Sequence, residues 1–195
     1  KKLKKNCRSL AALRELAIQS AQVGRHEDAI RLWKDYLKLQ PQSDEAQLNL
    51  GGAYWNCKRY REATHCAEKA LRLNPTSKEA KFNLAIAILM RGRAGEAKSI
   101  LQGLLEEHRD YPAAQFMLCV ASACVGDAGQ VEAQIKKIQA TALGPYLGES
   151  FLDLAKRFFS ASQLDYARRA LETAVAYNYG NNEIFSLLED IRAAA

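Results

Sequence analysis

The stretch LQPQSDEAQLNLGGAYWNCKRYREATHCAEKALRLNP, residues 39–75, decides the fold. It begins with Leu39-Gln40-Pro41 and ends with Leu73-Asn74-Pro75, two similar tripeptides that lie 34 residues apart. Each tripeptide ends an amphipathic helical pattern, and a fixed spacing of this length indicates an internal structural repeat. The chain is therefore expected to be an array of similar helical units.

The repeat pattern can be followed through most of the chain. Its clearest copy, the second, consists of Leu50, Gly51, Tyr54, Tyr60, Ala63, Ala67, Ala70 and Pro75. The first copy has Leu13, Leu16, Ala17, Gly24, Ala29, Trp33, Tyr36 and Pro41, and the third has Leu84, Ala85, Ile88, Gly92, Ala97, Leu101 and Leu104. This pattern resembles that of the tetratricopeptide-repeat (TPR) family, and the resemblance extends from Leu10 to Tyr179.

The resemblance implies an all-α fold, a right-handed α-solenoid of about five TPR helix-turn-helix units with a C-terminal capping helix. The expected segments are a basic lead-in at 1–9, units at about 10–43, 44–77, 78–111, 112–147 and 148–181, and a cap with its tail at 182–195. The cap is expected because stacked repeats need a polar outer face at the end of the array.

Small and large residues alternate as close helix packing requires. Gly51 should let the two helices of its unit approach closely, while Trp33 and Tyr54 should fill the core. Gly24 and Gly92 are expected to adopt the left-handed backbone that ends a helix.

The composition favours long helices in a cytoplasmic protein. The chain is 48% apolar and 26% charged, with only 4 Pro and 11 Gly to interrupt it. No window has the alternation of a half-buried strand, and the longest apolar run, 82–90, is closed by Arg91. Five dispersed cysteines are expected to be reduced thiols.

The net charge of +6 comes largely from the first eight residues, where Lys1, Lys2, Lys4, Lys5 and Arg8 face no acid. A nucleic-acid binder would be expected to carry a basic face along its folded body. We therefore expect no nucleic-acid partner, and a membrane partner is not favoured.

The sequence contains no pattern of catalytic or metal-binding residues. His26, His65 and His108 fall in different units, and Cys119 and Cys124 lie about 140° apart around a helix. Neither a Cys-x-x-Cys pair nor a phosphate-binding glycine loop occurs. The expectation is a segment with no enzymatic activity, no cofactor and no metal.

In the TPR family, the first helices of successive units line a concave groove. Apolar and amide side chains at the corresponding positions here predict a peptide-binding groove lined by Leu48, Asn49, Trp55, Phe82, Asn83, Ile86, Met90, Phe116, Met117 and Val120. Asn49 and Asn83 occupy equivalent positions, and an amide can both donate to and accept from a peptide main chain. The competing interpretation is that these residues are core, buried by tight curvature or by a helix at residues 1–9 that folds back.

Two functions follow as hypotheses. The first is a protein–protein interaction scaffold that binds a peptide or helix of a partner in its concave groove. The alternative is a regulatory or oligomerising TPR arm of a larger enzyme such as a glycosyltransferase. Self-association of the chain is left open by both.

Overall fold

The computed structural model describes residues 2–141 and 143–194, and of residues 2–9 it describes the backbone alone. Within these ranges the chain forms eleven α-helices and no strand, which confirms the all-α prediction. The helices are α1 (Lys2–Gln22), α2 (His26–Leu39), α3 (Asp44–Asn56), α4 (Tyr60–Leu73), α5 (Lys78–Leu89), α6 (Ala94–Glu107), α7 (Pro112–Val125), α8 (Ala128–Gln139), α9 (Leu147–Ser160), α10 (Leu164–Ala176) and α11 (Asn182–Ala194).

The side chains of the predicted basic lead-in, residues 1–9, lie outside the described residues. From residue 2 its backbone belongs to α1, so no separate helix folds back there. In the part of the chain that is described, no helix has both the length and the apolar character needed to cross a membrane.

Left-handed turns between paired helices recur with the period of the repeat. The φ angle is positive at Gly24, Lys58, Gly92 and Gly126, which are spaced 34 residues apart, and again at Ser162. Gly24 and Gly92 therefore adopt the predicted conformation. Lys58 and Ser162 adopt it without the freedom of glycine, so the turn geometry repeats more faithfully than the residues that form it.

Serine caps begin two of the first helices at the same spacing. The Oγ atom of Ser43 accepts a hydrogen bond of 3.1 Å from the amide of Ala46 at the start of α3. Ser77 accepts an equivalent bond of 3.1 Å from Ala80 at the start of α5. Each cap satisfies one of the amides that a helix start leaves without a partner.

The helices divide into two compact units, with the boundary between Ala87 and Ile88 inside α5. In unit 1, which ends at Ala87, α2 packs between α1 and α3, and α3 packs on α4. Trp33 and Tyr54 are 1% and 5% exposed, as predicted for core residues. A Cβ atom added to Gly51 would lie 3.2 Å from the Cβ atom of Cys66, which confirms the close approach of α3 and α4.

Unit 2, from Ile88 onward, is organised around α7. Helices α6, α8 and α10 all pack against α7, and ten of its fourteen residues are buried. No Asp, Glu, Lys or Arg occurs between Pro112 and Val125, as expected of a helix that is covered on every side.

Contacts from α10 reach past the neighbouring helix pair. The hydroxyl of Tyr166 donates a hydrogen bond of 2.8 Å to the carbonyl oxygen of Gly92, in the turn before α6. A guanidinium nitrogen of Arg169 donates to the carbonyl oxygen of Ala123 in α7 at 3.4 Å. In a regular solenoid each repeat contacts only its neighbours, so unit 2 departs from strict nearest-neighbour stacking.

Candidate functional site

The predicted groove residues of unit 1 lie on the first helices α3 and α5. Asn49 is exposed, while the other five are half-buried: Leu48, Trp55, Phe82, Asn83 and Ile86. This intermediate burial differs from that of Trp33, which is enclosed in the core. These six side chains are partly open to solvent and can contact a ligand.

A cavity of about 100 Å³ brings three of the predicted residues together. Trp55 of α3 and Asn83 and Ile86 of α5 form its walls, and Gly51 and Gly52 line it without side chains of their own. Small-molecule sites usually measure roughly 300–1,000 Å³. This cavity therefore suits a single side chain of a larger ligand.

Aromatic packing holds the indole of Trp55 in place. Its ring meets the ring of Tyr60, the first residue of α4, edge to face with centroids 5.1 Å apart. Such contacts contribute about 0.5–1.5 kcal/mol beyond the area they bury. The wall of the cavity is therefore partly preorganised.

Asn49 is oriented by its own helix. Its Nδ2 atom donates a hydrogen bond of 3.0 Å to the carbonyl oxygen of Glu45, one turn earlier. An amide has two N–H donors and an oxygen acceptor, so this bond uses one donor only. Asn49 can still contact a peptide main chain, although it does not line the cavity.

Four of the predicted groove residues belong instead to the core of unit 2. Met90 and Val120 are 2% and 0% exposed, and Phe116 and Met117 are also buried. The ring of Phe116 packs edge to face on Phe151 of α9, with centroids 5.1 Å apart. The prediction that these four line an open groove is wrong, because α7 is covered on several sides.

The thiols have the character of packing residues. Cys57, Cys66, Cys119 and Cys124 are free, and the last three are buried. Burial raises the pKa of Cys66 to about 11 and that of Cys119 and Cys124 to about 12. Such thiols are protonated at neutral pH and are poor nucleophiles. Among the described residues, no group of three or more His, Cys, Asp or Glu side chains could hold a metal ion.

Two family models match the sequence, and both are described as tetratricopeptide repeat. One matches residues 14–63 and the other matches residues 58–119. Together they run from residue 14 to residue 119, which is more than half of the 195 residues. No curated protein matches the sequence significantly.

Several solved structures have a similar fold. A thermophilic TPR protein of Thermus thermophilus superposes with a TM-score of 0.63 at 19% identity, covering 94% of this chain and 99% of that one. The first TPR of Spaghetti (RPAP3), bound to the HSP90 peptide SRMEEVD, has a TM-score of 0.58 at 20% identity and covers 61% of this chain and 94% of that one.

An enzyme is also among the similar structures. A mutant O-GlcNAc transferase of Thermobaculum terrenum has a TM-score of 0.56 at 24% identity. The match covers 60% of this chain but 23% of the transferase, so this chain spans less than a quarter of that enzyme. At these identities all three likenesses show the fold alone.

Proposed function

This chain belongs to the tetratricopeptide-repeat family, and on that premise we propose that it is a scaffold whose unit 1 holds a peptide or helix of a partner protein. The observation that carries the proposal is the cavity formed by Trp55, Asn83 and Ile86 on α3 and α5. Aromatic residues that fill or form such pockets often dominate the binding energy of an interface.

Each residue of the proposed site has a distinct part. Trp55 and Ile86 provide apolar walls for one side chain of the ligand, and Asn83 offers an amide at the same cavity. Leu48, Asn49 and Phe82 extend the surface along α3 and α5, and Asn49 supplies a second amide for the ligand main chain. The buried residues Met90, Phe116, Met117 and Val120 are not part of the proposed site.

The alternative function, a regulatory or oligomerising arm of a larger enzyme such as a glycosyltransferase, stays a prediction. A likeness of fold to one transferase is its only support.

Peptide selection tests the proposed site. Peptides selected from a random display library on the full chain should bind the Trp55→Ala and Phe82→Ala variants at least about tenfold more weakly, as expected for anchors worth about 2 kcal/mol. The matched control is Phe185→Ala, because Phe185 is an aromatic residue of α11 that is 49% exposed. This control should leave the affinity unchanged.

Measuring stability separates binding from folding. Trp33→Ala should cost about 3–5 kcal/mol of unfolding free energy, as core truncations do, whereas Trp55→Ala should cost much less because its ring is half-buried. If Trp55→Ala and Phe82→Ala unfold the protein as severely as Trp33→Ala, these residues are core. If the selected peptides bind all variants equally, the site lies elsewhere.

A further inference from the structure

A second, larger opening lies on another face of unit 1. It has a volume of about 1230 Å³ and runs between α2 and α4, the second helices of two successive pairs. We call it the α2–α4 groove. Gln47, Leu50 and Tyr54 of α3 line it, and these residues share one face of α3 by helical spacing. Trp55 and Gly52, which line the small cavity, lie on a different face of α3.

The walls of the α2–α4 groove are strongly basic. Five of its fifteen lining residues are cations: Lys34, Lys38, Arg61, Lys69 and Arg72. Glu62 is the single acid among the fifteen, and its carboxylate accepts a hydrogen bond of 2.7 Å from Arg59, outside the groove. The groove therefore carries an excess of positive charge that its own acid does not neutralise.

Three of these cations are available to a ligand. Lys38 is paired with Asp35 at 2.7 Å, but Arg61, Lys69 and Arg72 form no ion pair with any residue that the structure describes. They lie on α4 at spacings of eight and three residues, which places them along one side of that helix.

The floor of the same groove is apolar. Leu37, Leu50, Tyr54 and Leu73 line it between the two basic walls. The ammonium group of Lys34 lies over the ring of Tyr54, 5.6 Å from its centroid. An apolar floor under cationic walls matches a ligand that has apolar side chains on one side and carboxylates beside them.

We propose that the α2–α4 groove binds an acidic amphipathic peptide segment of a partner protein. Its apolar side chains contact Leu37, Leu50 and Leu73, and its carboxylates pair with Arg61, Lys69 and Arg72. The volume exceeds the roughly 300–1,000 Å³ of most small-molecule sites, which favours a chain segment. The leucine floor favours a peptide over a nucleic acid, whose recognition relies on phosphate contacts and base stacking.

A fluorescence-anisotropy titration of the full chain tests this assignment. The probe is a labelled pool of peptides about 15 residues long, made of Glu, Asp, Leu and Phe in random order, at low salt where ion pairs are least screened. The triple variant R61Q/K69Q/R72Q should bind the pool at least about tenfold more weakly than the parent. The control R25Q/R31Q/K137Q removes the same charge from exposed residues outside the groove and should keep the parent affinity.

Two further probes decide between ligand classes. A pool in which Ser replaces Leu and Phe should bind at least about tenfold more weakly, and so should an oligo(dT) of similar charge. The proposal is overturned if the parent does not bind the acidic amphipathic pool, or if both triple variants bind it equally. It is also overturned if oligo(dT) binds as tightly as the pool and is lost in R61Q/K69Q/R72Q, since the groove would then be a nucleic-acid site. Trp55→Ala should not change these affinities, so this test and that of the small cavity can fail separately.

Discussion

Tyr166 bonds to the turn at Gly92 through its hydroxyl, which both donates to the Gly92 carbonyl at 2.8 Å and accepts from the amide of Ala94 at 3.4 Å. The Tyr166 ring also packs edge to face on Phe158, with centroids 5.7 Å apart. This one side chain therefore ties α10 to α9 and to the turn before α6.

Removing that hydroxyl should destabilise unit 2. Tyr166→Phe keeps the ring contact but loses both hydrogen bonds, and we expect a loss of about 1–2 kcal/mol in urea unfolding followed by circular dichroism. Tyr146→Phe is the control, because Tyr146 is 58% exposed and its change should stay within about 0.5 kcal/mol. Equal stabilities for the two variants would contradict the structural role of Tyr166.

Glycine at Lys58 should stabilise the protein. Lys58 is exposed and has a φ of 58°, a conformation that costs a residue with a Cβ atom about 1–2 kcal/mol. Lys58→Gly relieves this cost but gives the unfolded chain more freedom, so the expected net gain in urea unfolding is about 0.5–1 kcal/mol. Gly24→Ala should have the opposite sign, because Gly24 has a φ of 77° with open space around it. A loss of stability in Lys58→Gly would show that the turn is not strained.

Adjacent glycines in α3 should respond differently to alanine. A Cβ atom at Gly52 meets nothing within 4 Å, so Gly52→Ala should gain about 0.5–1 kcal/mol from helix propensity. A Cβ atom at Gly51 would lie 3.2 Å from Cys66 and 3.7 Å from the Ala63 carbonyl oxygen. Thermal and urea unfolding should therefore rank Gly51→Ala below Gly52→Ala by about 1 kcal/mol or more. Similar stabilities would mean that α4 can move away freely.

The buried thiols of α7 make stability depend on alkaline pH. The folded protein holds Cys119 and Cys124 protonated up to about pH 12, whereas the unfolded chain releases those protons near pH 9. Their stabilising effect is therefore complete below pH 9 and is lost as the pH rises toward 12. Urea titrations at pH 8 and pH 10 should show the fall, and the Cys119→Ala variant should show a smaller one. An identical fall in that variant would exclude Cys119 as a contributor.

Deleting α11 should destabilise the helices next to it. Ile184, Leu188 and Ile191 are buried against unit 2, and each contributes roughly 1.5–3 kcal/mol by burial. A chain ending at Asn181 should unfold at markedly lower urea concentration than the parent. A chain ending at Arg192 is the control, because Ala193 and Ala194 are exposed. If both truncated chains match the parent, α11 does not act as a cap.

Much of the fold could be predicted because the repeat is visible in local spacing. Leu39-Gln40-Pro41 and Leu73-Asn74-Pro75 mark equivalent helix ends, and Gly24 and Gly92 mark equivalent turns. The turn at Lys58 could not be identified by its residue, since its left-handed backbone is imposed by the paired helices around it.

The candidate site was predictable only in part. Trp55, Asn83 and Ile86 share a cavity as their equivalent positions suggested, but Phe116 and Val120 are buried in unit 2. The family pattern assigns α7 a solvent-facing side, whereas α10 packs on it through contacts that are distant in sequence. The lack of charged residues in α7 was the available signal. The α2–α4 groove had a fainter one, since Lys38 and Arg72 are cations 34 residues apart.

The bond between Tyr166 and Gly92 joins residues 74 positions apart, and this distance bears on the order in which the chain folds. The helix pairs of unit 1 make contacts that are close in sequence, which favours fast formation. In unit 2 the intervening segment must close into a loop before α10 can cover α7, and the entropy of that closure opposes its folding. Until then the uncharged helix α7 remains exposed, so a chain emerging from the ribosome passes through a stage that is prone to aggregation until α10 has been synthesised.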